Sequence, residues 1–428
     1  MAERVRLDFY DQILRPDPSR TVVRPFEPGY PKGYDQGVSR THEIIDRIVA
    51  LDEEELARQL EGVTASLDEN HRDVNTMLRR RFGDVADKID NADCITDQQQ
   101  RLIGAYFSQE YAYEAAALFN PSVVAHPDQS DLTEGAVRIV VALRGIGEGH
   151  VSSVTFRTGI WTPAASLQID PASPTSVSPI IEKSEENGTS VRLNCAGSRT
   201  LSETVLFPVL PSQRQGIEDV RLVRFQDDDG SVMYHGTYTA FSGAEARSEL
   251  LTSADFHSFE MRPLTGDVAS TKGMALFPRR IDGSYVMLGR QDNKNIWLNR
   301  SNELLYWQGG VKLVSPRYPW EFVQMGNCGS PIELDEGWLV MTHGVGTVRN
   351  YCIGACLLDK RDPSKLLARM PRPVLAPSPH ERDGYVPNVV YTCGALVRDR
   401  QMLLPYAVAD SFTAFATLSV DDLLRVME

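Results

Sequence analysis

Glu218-Asp219 is the acidic pair in this sequence that is best placed for chemistry, because it stands directly before a run of β-branched and aromatic residues. Arg221 follows Asp219 by two positions, and side chains alternate along a strand, so these two can point the same way. A carboxyl beside a guanidinium stays ionised unless burial opposes it. The pair is therefore part of a catalytic site or a structural ion pair, and the spacing by itself favours the ion pair.

Two basic residues, Lys272 and Arg290, lie before and at the end of two consecutive strand-like runs. If the runs form a hairpin, the two side chains can meet as a clamp for an anion. The alternative, which the spacing alone favours, is a pair of solvated basic side chains. The sequence thus allows an anion site here without requiring one.

The next segment combines glycine, proline and a single histidine. Gly326, Gly329 and Pro331 predict a tight loop in which the backbone can approach a ligand closely. His343 ends the following strand-like run, and a lone histidine is more often structural than functional. A later strand-rich stretch ends at Asp410. No cluster with metal-ligand spacing accompanies these residues, so the sequence implies no cofactor.

Strand-like runs separated by turn signals must position these side chains. From residue 120 to the end they recur with almost no helix between them, which is typical of a sandwich, a barrel or a propeller. A stretch of about 300 residues is too long for one ordinary sandwich and favours a propeller. The clearest runs are 137–145, 150–159, 220–225, 232–241, 284–290, 337–344 and 413–420.

The chain before residue 120 has a different pattern. Apolar residues recur at helical spacing over 41–63, and two more helical stretches are predicted near 67–90 and over 96–118. Thr96 is the expected N-cap of the last one. We therefore expect an N-terminal arm and helical subdomain over 1–119 and a β domain over 120–428.

Composition excludes some classes of function. The formal net charge of the 428 residues is −14, which argues against a broad nucleic-acid or membrane surface. No run reaches the ~20 apolar residues that span a bilayer, and the N-terminus lacks a secretion-signal pattern. We expect a cytoplasmic protein whose six cysteines are reduced and mostly buried.

Several motifs in the β domain, taken together and in order, resemble those of glycoside hydrolase family 130, the β-mannoside phosphorylases and mannosidases. Each motif is weak alone, but the joint match over roughly 120–428 is specific. The motifs are GIEDVR, YHGTYTAF, KGMALFP, THGVG, IGACLLDKRDPSK, VPNVVYTCGALV and AVAD.

The resemblance implies an all-β, five-bladed β-propeller that acts on β-mannosides with inversion, its site at one end of the central channel. It places Asp219 as the general acid, acting through a sugar hydroxyl. The other residues that it places are the substrate-binding Asn120, Arg144 and Asp410 and the phosphate-binding Lys272, Arg290 and His343. We expect His343 to help more when it is protonated.

Three departures from the family's pattern bear on the nucleophile. Gln324 stands where phosphorylases usually have Lys, Val220 replaces the proline of the acid motif, and Gly273 replaces an aspartate. The remaining cations, which Arg349 could join, can still hold phosphate as co-substrate.

The first expectation is an inverting phosphorylase that cleaves β-1,2- or β-1,4-linked mannosides and releases mannose 1-phosphate. An inverting β-mannosidase is the alternative, with Glu148, Glu218 or Glu321 as the base for water. A non-catalytic sugar-binding propeller is the third reading, which the presence of Asp219 disfavours. The expected partners are an oligosaccharide and phosphate, with a homo-oligomer possible.

Overall fold

The structure is a computed structural model that describes residues 5–30, 39–89, 92–183, 189–378 and 384–428. Its α-helices are α1 (Arg40–Val49), α2 (Glu53–Asp68), α3 (Val74–Gly83), α4 (Asp97–Tyr106) and α5 (Val420–Arg425). Within these ranges no helix combines the length and the apolar character needed to cross a bilayer.

Strands dominate the rest of the described chain. In chain order they are β1 (Asp8–Leu14), β2 (Thr21–Pro25), β3 (Ser108–Ala112), β4 (Ala117–Ala125), β5 (Val137–Ile146), β6 (Ser152–Thr162), β7 (Ser166–Ile169), β8 (Ile180–Lys183), β9 (Val191–Asn194), β10 (Val205–Leu206), β11 (Gly216–Gln226), β12 (Val232–Phe241), β13 (Ala246–Ser253), β14 (Ser258–Pro263), β15 (Ala275–Leu276), β16 (Tyr285–Gly289), β17 (Ile296–Ser301), β18 (Val311–Val314), β19 (Gln324–Asn327), β20 (Ile332–Glu333), β21 (Trp338–Val345), β22 (Tyr351–Leu358), β23 (Leu366–Arg369), β24 (Val390–Tyr391), β25 (Leu396–Arg398), β26 (Gln401–Val408) and β27 (Phe412–Ser419). The expected strand-rich fold after residue 120 is confirmed.

Most strands pair antiparallel with their neighbours in the chain. We call these neighbours strand groups: group I is β4–β7, group II β11–β14, group III β15–β18, group IV β19–β23, and group V β24–β27 with β1 added beside β27. Groups I and II belong to one larger sheet, because Gly216 of β11 pairs with Ser152 of β6.

Hydrophobic side chains fill the space between the strand groups. One core joins groups I and II, a second joins II and III, a third joins III and IV, and a fourth joins IV and V. A fifth core packs Leu403 and Phe415 of group V against Val141 and Trp161 of group I. Buried apolar area is the main stabilising term in such a fold, so the last group is held to the first as firmly as sequential neighbours are.

Two compact units divide the chain at a different place from the expected boundary at residues 119 and 120. One unit contains the described parts of Met1–Pro18, Tyr113–Ser173 and Pro179–Glu428, and the other contains Ser19–Ala112 with Pro174–Ser178. The N-terminal arm is therefore split, because β1 adds to group V by pairing with β27.

Side-chain caps start two of the helices in the helical unit. The side chain of Asp52 accepts a hydrogen bond from the Glu55 N–H, which starts α2 and divides the long helix expected over 41–63. Thr96 and Gln99 form a capping box at the start of α4, and Thr96 is thus the N-cap that the sequence predicts.

The helix expected over 96–118 is too long, because α4 ends at Tyr106. Residues 108–112 form β3, which pairs with β2, and the following residues continue into β4 of group I. Residues 111–119 are rich in alanine and aromatic residues, so their pattern fits both the helical and the strand period. Pairing with partners distant in sequence overrides its helix propensity.

Candidate active site

All seven site residues placed by the resemblance line one cavity of about 250 Å³ in the β unit. Strand groups I, II, IV and V and the loops before and after β15–β16 contribute to it. Its lining residues are Asn120, Arg144, Glu218, Asp219, Arg221, Thr239, Lys272, Gly273, Arg290, His343, Arg349, Tyr351, Val386, Val389, Tyr391 and Asp410. The catalytic and binding roles of these residues remain predictions.

Irregular backbone aims three of these side chains into the cavity. The strand register breaks around Asn120 in β4 and around Asp219 in β11, and these residues have φ values of 49° and 55°. Asp410, in the turn between β26 and β27, has φ 49°. Left-handed backbone at such residues costs on the order of 1–3 kcal/mol and clusters at functional sites, and β-bulges redirect side chains.

Arg144 holds the two adjacent carboxylates of β11. Its Nη1 donates to Asp219 Oδ1 at 3.1 Å, and its Nη2 donates to Glu218 Oε1 at 2.9 Å. Asn120 Nδ2 donates to the same Asp219 oxygen at 2.7 Å, while the Asn120 Oδ1 is buried without a partner among the described residues. The Oδ1 of Asn120 is therefore an unused hydrogen-bond acceptor for a ligand hydroxyl.

The environment of Asp219 favours its ionised form. Burial opposes the charge, but Arg144 and Arg221 together with the hydrogen bond from Asn120 outweigh it and hold the pKa of this carboxyl below its ordinary value. Without a ligand, Asp219 is thus a carboxylate at neutral pH. It can act as a proton donor only when a bound substrate weakens its pairing with Arg144.

Asp410 shows the opposite behaviour. Burial, followed by the negative charge of Asp219, raises its pKa to about 6, although Arg144 and Arg349 partly offset the rise. The two aspartates of the cavity therefore titrate in separate pH ranges, a pattern that often marks acid–base sites.

Two glycines make room for Arg290 on the other side of the cavity. A Cβ on Gly273 would lie 2.6 Å from Arg290 Nε, and a Cβ on Gly326 would collide with Arg290 Cδ. Gly326 is also the strand partner of His343. The sequence predicts that Gly326 lets the backbone approach a ligand, whereas in the structure it lets a side chain approach.

His343 is held in its neutral form in the structure, and the greater help expected from its protonated form remains a prediction. The ring is buried, and burial together with Arg290 and Arg221 lowers its pKa well below the ordinary value. Arg290 Nη1 lies 3.1 Å from His343 Nε2, and arginine can only donate, so Nε2 is the acceptor. His343 therefore orients Arg290.

We call the part of the cavity around Lys272, Arg290 and His343 the anion side. There the rings of His343 and Tyr351 stack with their centroids 6.0 Å apart. Gln324 lies on the rim, with its Nε2 3.4 Å from the Tyr351 hydroxyl. Lys272 Nζ lies 3.3 Å from Glu218 Oε2. Tyr351 is not among the residues that the sequence predicts for this site. It pairs with Val345, two residues beyond His343, so a hairpin after His343 could have indicated it.

Arg221 and Tyr391 line the cavity and are hydrogen-bonded to each other. Arg221 is buried and donates to the Cys328 carbonyl and to the Tyr391 hydroxyl, at 2.5 and 2.9 Å. Its expected proximity to Asp219 is real, but its hydrogen bonds go elsewhere. Tyr391 is a further residue that the sequence argument did not single out.

The three candidate bases separate clearly. Glu321 is buried and forms two 2.8 Å hydrogen bonds with Arg369 away from the cavity, so it is a structural residue. Glu148 is exposed in the turn after β5 and does not line the cavity within the described chain. Glu218 alone of the three lies in the cavity, and both of its oxygens contact cations, Arg144 and Lys272.

A smaller second cavity of about 130 Å³ shares Arg144 and Asp410 with the first. Its other walls are mostly apolar, and the exposed rings of His150 and Tyr385 lie beside it with centroids 5.7 Å apart. None of the anion-side residues Lys272, Arg290 and His343 lines this cavity. We call it the aromatic lobe.

A larger cavity of the β unit, about 540 Å³, opens at the opposite ends of β4 and β11. Two of its three arginines, Arg279 and Arg280, are paired with Glu333 and Asp227. The smaller cavity around Asp219 is the better candidate for chemistry, because it contains Asp410, a carboxyl whose pKa is raised to about 6.

Sequence similarity to known proteins identifies the family of this chain. The profile of glycoside hydrolase family 130, described as beta-1,4-mannooligosaccharide phosphorylase, matches residues 193–428. The chain belongs to this family. A 1,2-beta-oligomannan phosphorylase of Thermoanaerobacter sp. (strain X514) is 34% identical over 52% of this chain and 75% of its own length. A beta-1,2-mannobiose phosphorylase of Listeria innocua is 31% identical over 52% of this chain and 63% of its own length.

Solved structures show the same fold at lower identity. The beta-1,2-mannobiose phosphorylase of Listeria innocua, in complex with beta-1,2-mannobiose, aligns with a TM-score of 0.54 and 22% identity over 74% of this chain and 92% of that one. A structure from work on family 130 hydrolases that target beta-1,2 mannosidic linkages in Candida mannan aligns with a TM-score of 0.53 and 19% identity over 73% and 87%. Both structures carry evidence on fold alone.

Replacing Asp410 by Asn should stabilise the protein above pH 6. The folded pKa of about 6 lies above the unfolded value, so ionisation destabilises the fold progressively from about pH 4 and fully above pH 6. Asp410→Asn should raise the free energy of unfolding at pH 8 by up to about 3 kcal/mol and leave it unchanged at pH 3.5. Denaturant melts at both pH values measure this, with exposed Asp335→Asn as control. Equal gains at both pH values would contradict the assignment.

Replacing Gly326 by Ala should displace Arg290 and His343, because the added Cβ has no space between them. We expect a loss of stability of about 1–3 kcal/mol with the fold retained, and at least tenfold weaker binding of inorganic phosphate. Calorimetric titration with phosphate and circular dichroism measure the two effects. Gly62→Ala is the control, since a Cβ there meets nothing within 4 Å. Unchanged phosphate affinity would remove Arg290 from the anion site.

Proposed function

We propose that the protein is an inverting β-mannoside phosphorylase that cleaves β-1,2- or β-1,4-linked mannosides and releases mannose 1-phosphate. The observation that carries this is the charge of the cavity. Its lining in the described chain has five basic side chains against three carboxyls, although the whole chain has a net charge of −14. The positive side chains are Arg144, Arg221, Lys272, Arg290 and Arg349, and the carboxyls are Glu218, Asp219 and Asp410.

An anion would also satisfy a buried donor. Arg290 Nε is buried and has no hydrogen-bond partner among the described residues, although native proteins rarely leave such groups unpaired. A phosphate oxygen beside it would accept this hydrogen bond and would replace part of its own hydration shell. A water nucleophile has no comparable need for the surplus positive charge.

The chemistry follows from the two sides of the cavity. Asn120, Arg144 and Asp410 hold the mannose, and a phosphate near Lys272 and Arg290 attacks its anomeric carbon. The bond from that carbon to the glycosidic oxygen breaks, and the leaving oxygen gains a proton that Asp219 supplies through a sugar hydroxyl. Acid catalysis of this kind contributes typically 10²–10⁴-fold.

Inversion requires the leaving group to depart on the face opposite the nucleophile. The aromatic lobe meets this requirement, since it joins the main cavity at Arg144 and Asp410 and excludes the anion-side cations. The ring of Tyr385 offers an apolar surface to the C–H face of a sugar. The lobe is therefore the place for the departing sugar unit.

The five strand groups support a five-bladed propeller as the scaffold. Each group packs on the next through one hydrophobic core, and the fifth core joins the last group to the first. Such a ring places the starts of β4, β11, β22 and β24 around one channel mouth, which is where the lining residues lie.

Hydrolysis is the second candidate, because the related fold hosts hydrolases and Glu218 lies beside Asp219. Both oxygens of Glu218 already contact cations, however. A water nucleophile would have to compete with Arg144 and Lys272 for these oxygens, and this favours phosphate as the nucleophile.

The decisive experiment is incubation with β-1,2- and β-1,4-mannobiose, with and without phosphate. We expect mannose 1-phosphate to form only when phosphate is present. Asp219→Asn should fold normally and lose at least 10²-fold in turnover, because it removes the proton donor. Free mannose released at an equal rate without phosphate would select the hydrolase. Sugar binding with no cleavage under either condition would select the non-catalytic protein.

Replacing Tyr385 by Ala should weaken only the binding of the departing sugar. In the reverse direction, with mannose 1-phosphate as donor, we expect the KM of the acceptor sugar to rise roughly five- to tenfold while the KM of the donor is unchanged. Tyr306→Ala, a partly exposed tyrosine outside both cavities, is the control. An unchanged acceptor KM would show that the acceptor lies elsewhere.

A further inference from the structure

Most of the positive charge in the cavity is already engaged within the protein. Arg144 is shared between Glu218 and Asp219, and Lys272 is paired with Glu218. Arg221 is buried and donates to a backbone carbonyl and a tyrosine hydroxyl. A dianion that enters the cavity therefore meets few charges that are not already neutralised.

Two guanidinium groups are different. Among the described residues, the guanidinium of Arg290 has one hydrogen-bond partner, the neutral ring of His343, and its Nε has none. In the described part of the chain, Arg349 has no ion pair or hydrogen bond to its guanidinium, which lies 5.8 Å from the centroid of the Tyr351 ring. These two arginines thus carry the charge that is available to a ligand.

A continuous set of contacts links the two arginines. Arg290 donates to His343, the His343 ring stacks on Tyr351, and Arg349 lies over Tyr351. Both Arg349 and Tyr351 line the cavity. The two guanidinium groups therefore lie at the two ends of one stack of rings, and both belong to residues that line the same cavity.

The backbone that carries Arg349 is unusual. Val348 and Arg349 are consecutive residues with φ values of 54° and 53°, in the turn between β21 and β22. Left-handed conformation at two adjacent non-glycine residues, one of them β-branched, is unfavourable and persists where other interactions require it. This conformation brings Arg349 to the cavity from an exposed turn.

Gln324 lies beside the same ring, that of Tyr351. Its amide contacts the Tyr351 hydroxyl from the rim and carries no charge. The ring that Gln324 touches is the ring over which Arg349 lies. The positive charge beside the Tyr351 ring therefore comes from Arg349, in the turn after β21, and not from Gln324 at the start of β19.

We propose that Arg349 is the second arginine of the anion site and that, with Arg290, it binds the phosphate that attacks the mannoside. This inference deepens the proposed phosphorylase function and depends on it. The exposed turn gives Arg349 freedom to move onto phosphate as it enters and away as mannose 1-phosphate leaves. By attracting phosphate, Arg349 favours phosphate over water as the nucleophile.

Relocating the charge tests this proposal. We will compare Arg349→Ala with the double variant Arg349→Ala/Gln324→Lys, which returns a cation to the same ring from the opposite strand. Arg192→Ala, an exposed arginine on β9, is the matched control. Calorimetric titration with inorganic phosphate measures binding, and initial rates measure the separate KM values of phosphate and mannobiose.

We expect Arg349→Ala to weaken phosphate binding and raise the KM of phosphate on the order of tenfold or more, through the loss of a charge-assisted hydrogen bond. The KM of mannobiose should change less than about twofold, and the double variant should recover most of the phosphate affinity. Unchanged phosphate affinity in Arg349→Ala, or equal changes in both KM values, would overturn the role of Arg349.

The products distinguish this failure from failure of the proposed function. If the wild-type protein releases free mannose independently of phosphate, the phosphorylase proposal is wrong whatever the variants do. Calorimetry decides the anion site separately, since it needs no turnover. Absence of phosphate binding to the wild-type protein would overturn the assignment of Arg349 directly.

Discussion

The pairing of Arg144 with Glu218 and Asp219 is the interaction on which the rest of the site depends. Two adjacent carboxylates repel each other in a partly buried cavity, and one guanidinium between them compensates both. Lys272 joins the network through the second oxygen of Glu218. The network connects strand groups I and II with the loop that precedes group III, so the cavity is held together by charges from separate parts of the chain. Removing Arg144 would leave Asp219 without its ion-pair partner and Glu218 with Lys272 alone, which is destabilising.

Space is the second constraint. Arg290 can reach the cavity only because Gly273 and Gly326 lack side chains, and the neutral ring of His343 then fixes its orientation. Burial keeps that imidazole uncharged, so two positive groups do not compete for one position. The anion side thus combines a rigid arginine, held by packing, with Arg349 on an exposed turn. One preorganises the site, and the other can respond to a ligand.

Local charge and total charge have opposite signs in this protein. A net charge of −14 repels anions at a distance, while the cavity carries a surplus of cations among its lining residues. Screening limits the long-range repulsion to roughly 8 Å at physiological salt. A phosphate that reaches the mouth is therefore attracted by the nearby arginines. This arrangement favours a small anion over extended polyanions such as nucleic acids.

The sequence alone determined the strand-rich domain, its turns and seven of the residues that line the cavity, because strand period and motif order can be read along the chain. It did not determine the end of α4 at Tyr106, since the pairing of β3 with β2 joins residues far apart in the chain. Only the tertiary structure decided that Glu321 is structural, that His343 is neutral and that Asp219 is ionised while Asp410 resists ionisation. These properties depend on burial and on charges contributed by other strand groups, and neither can be read from neighbouring residues.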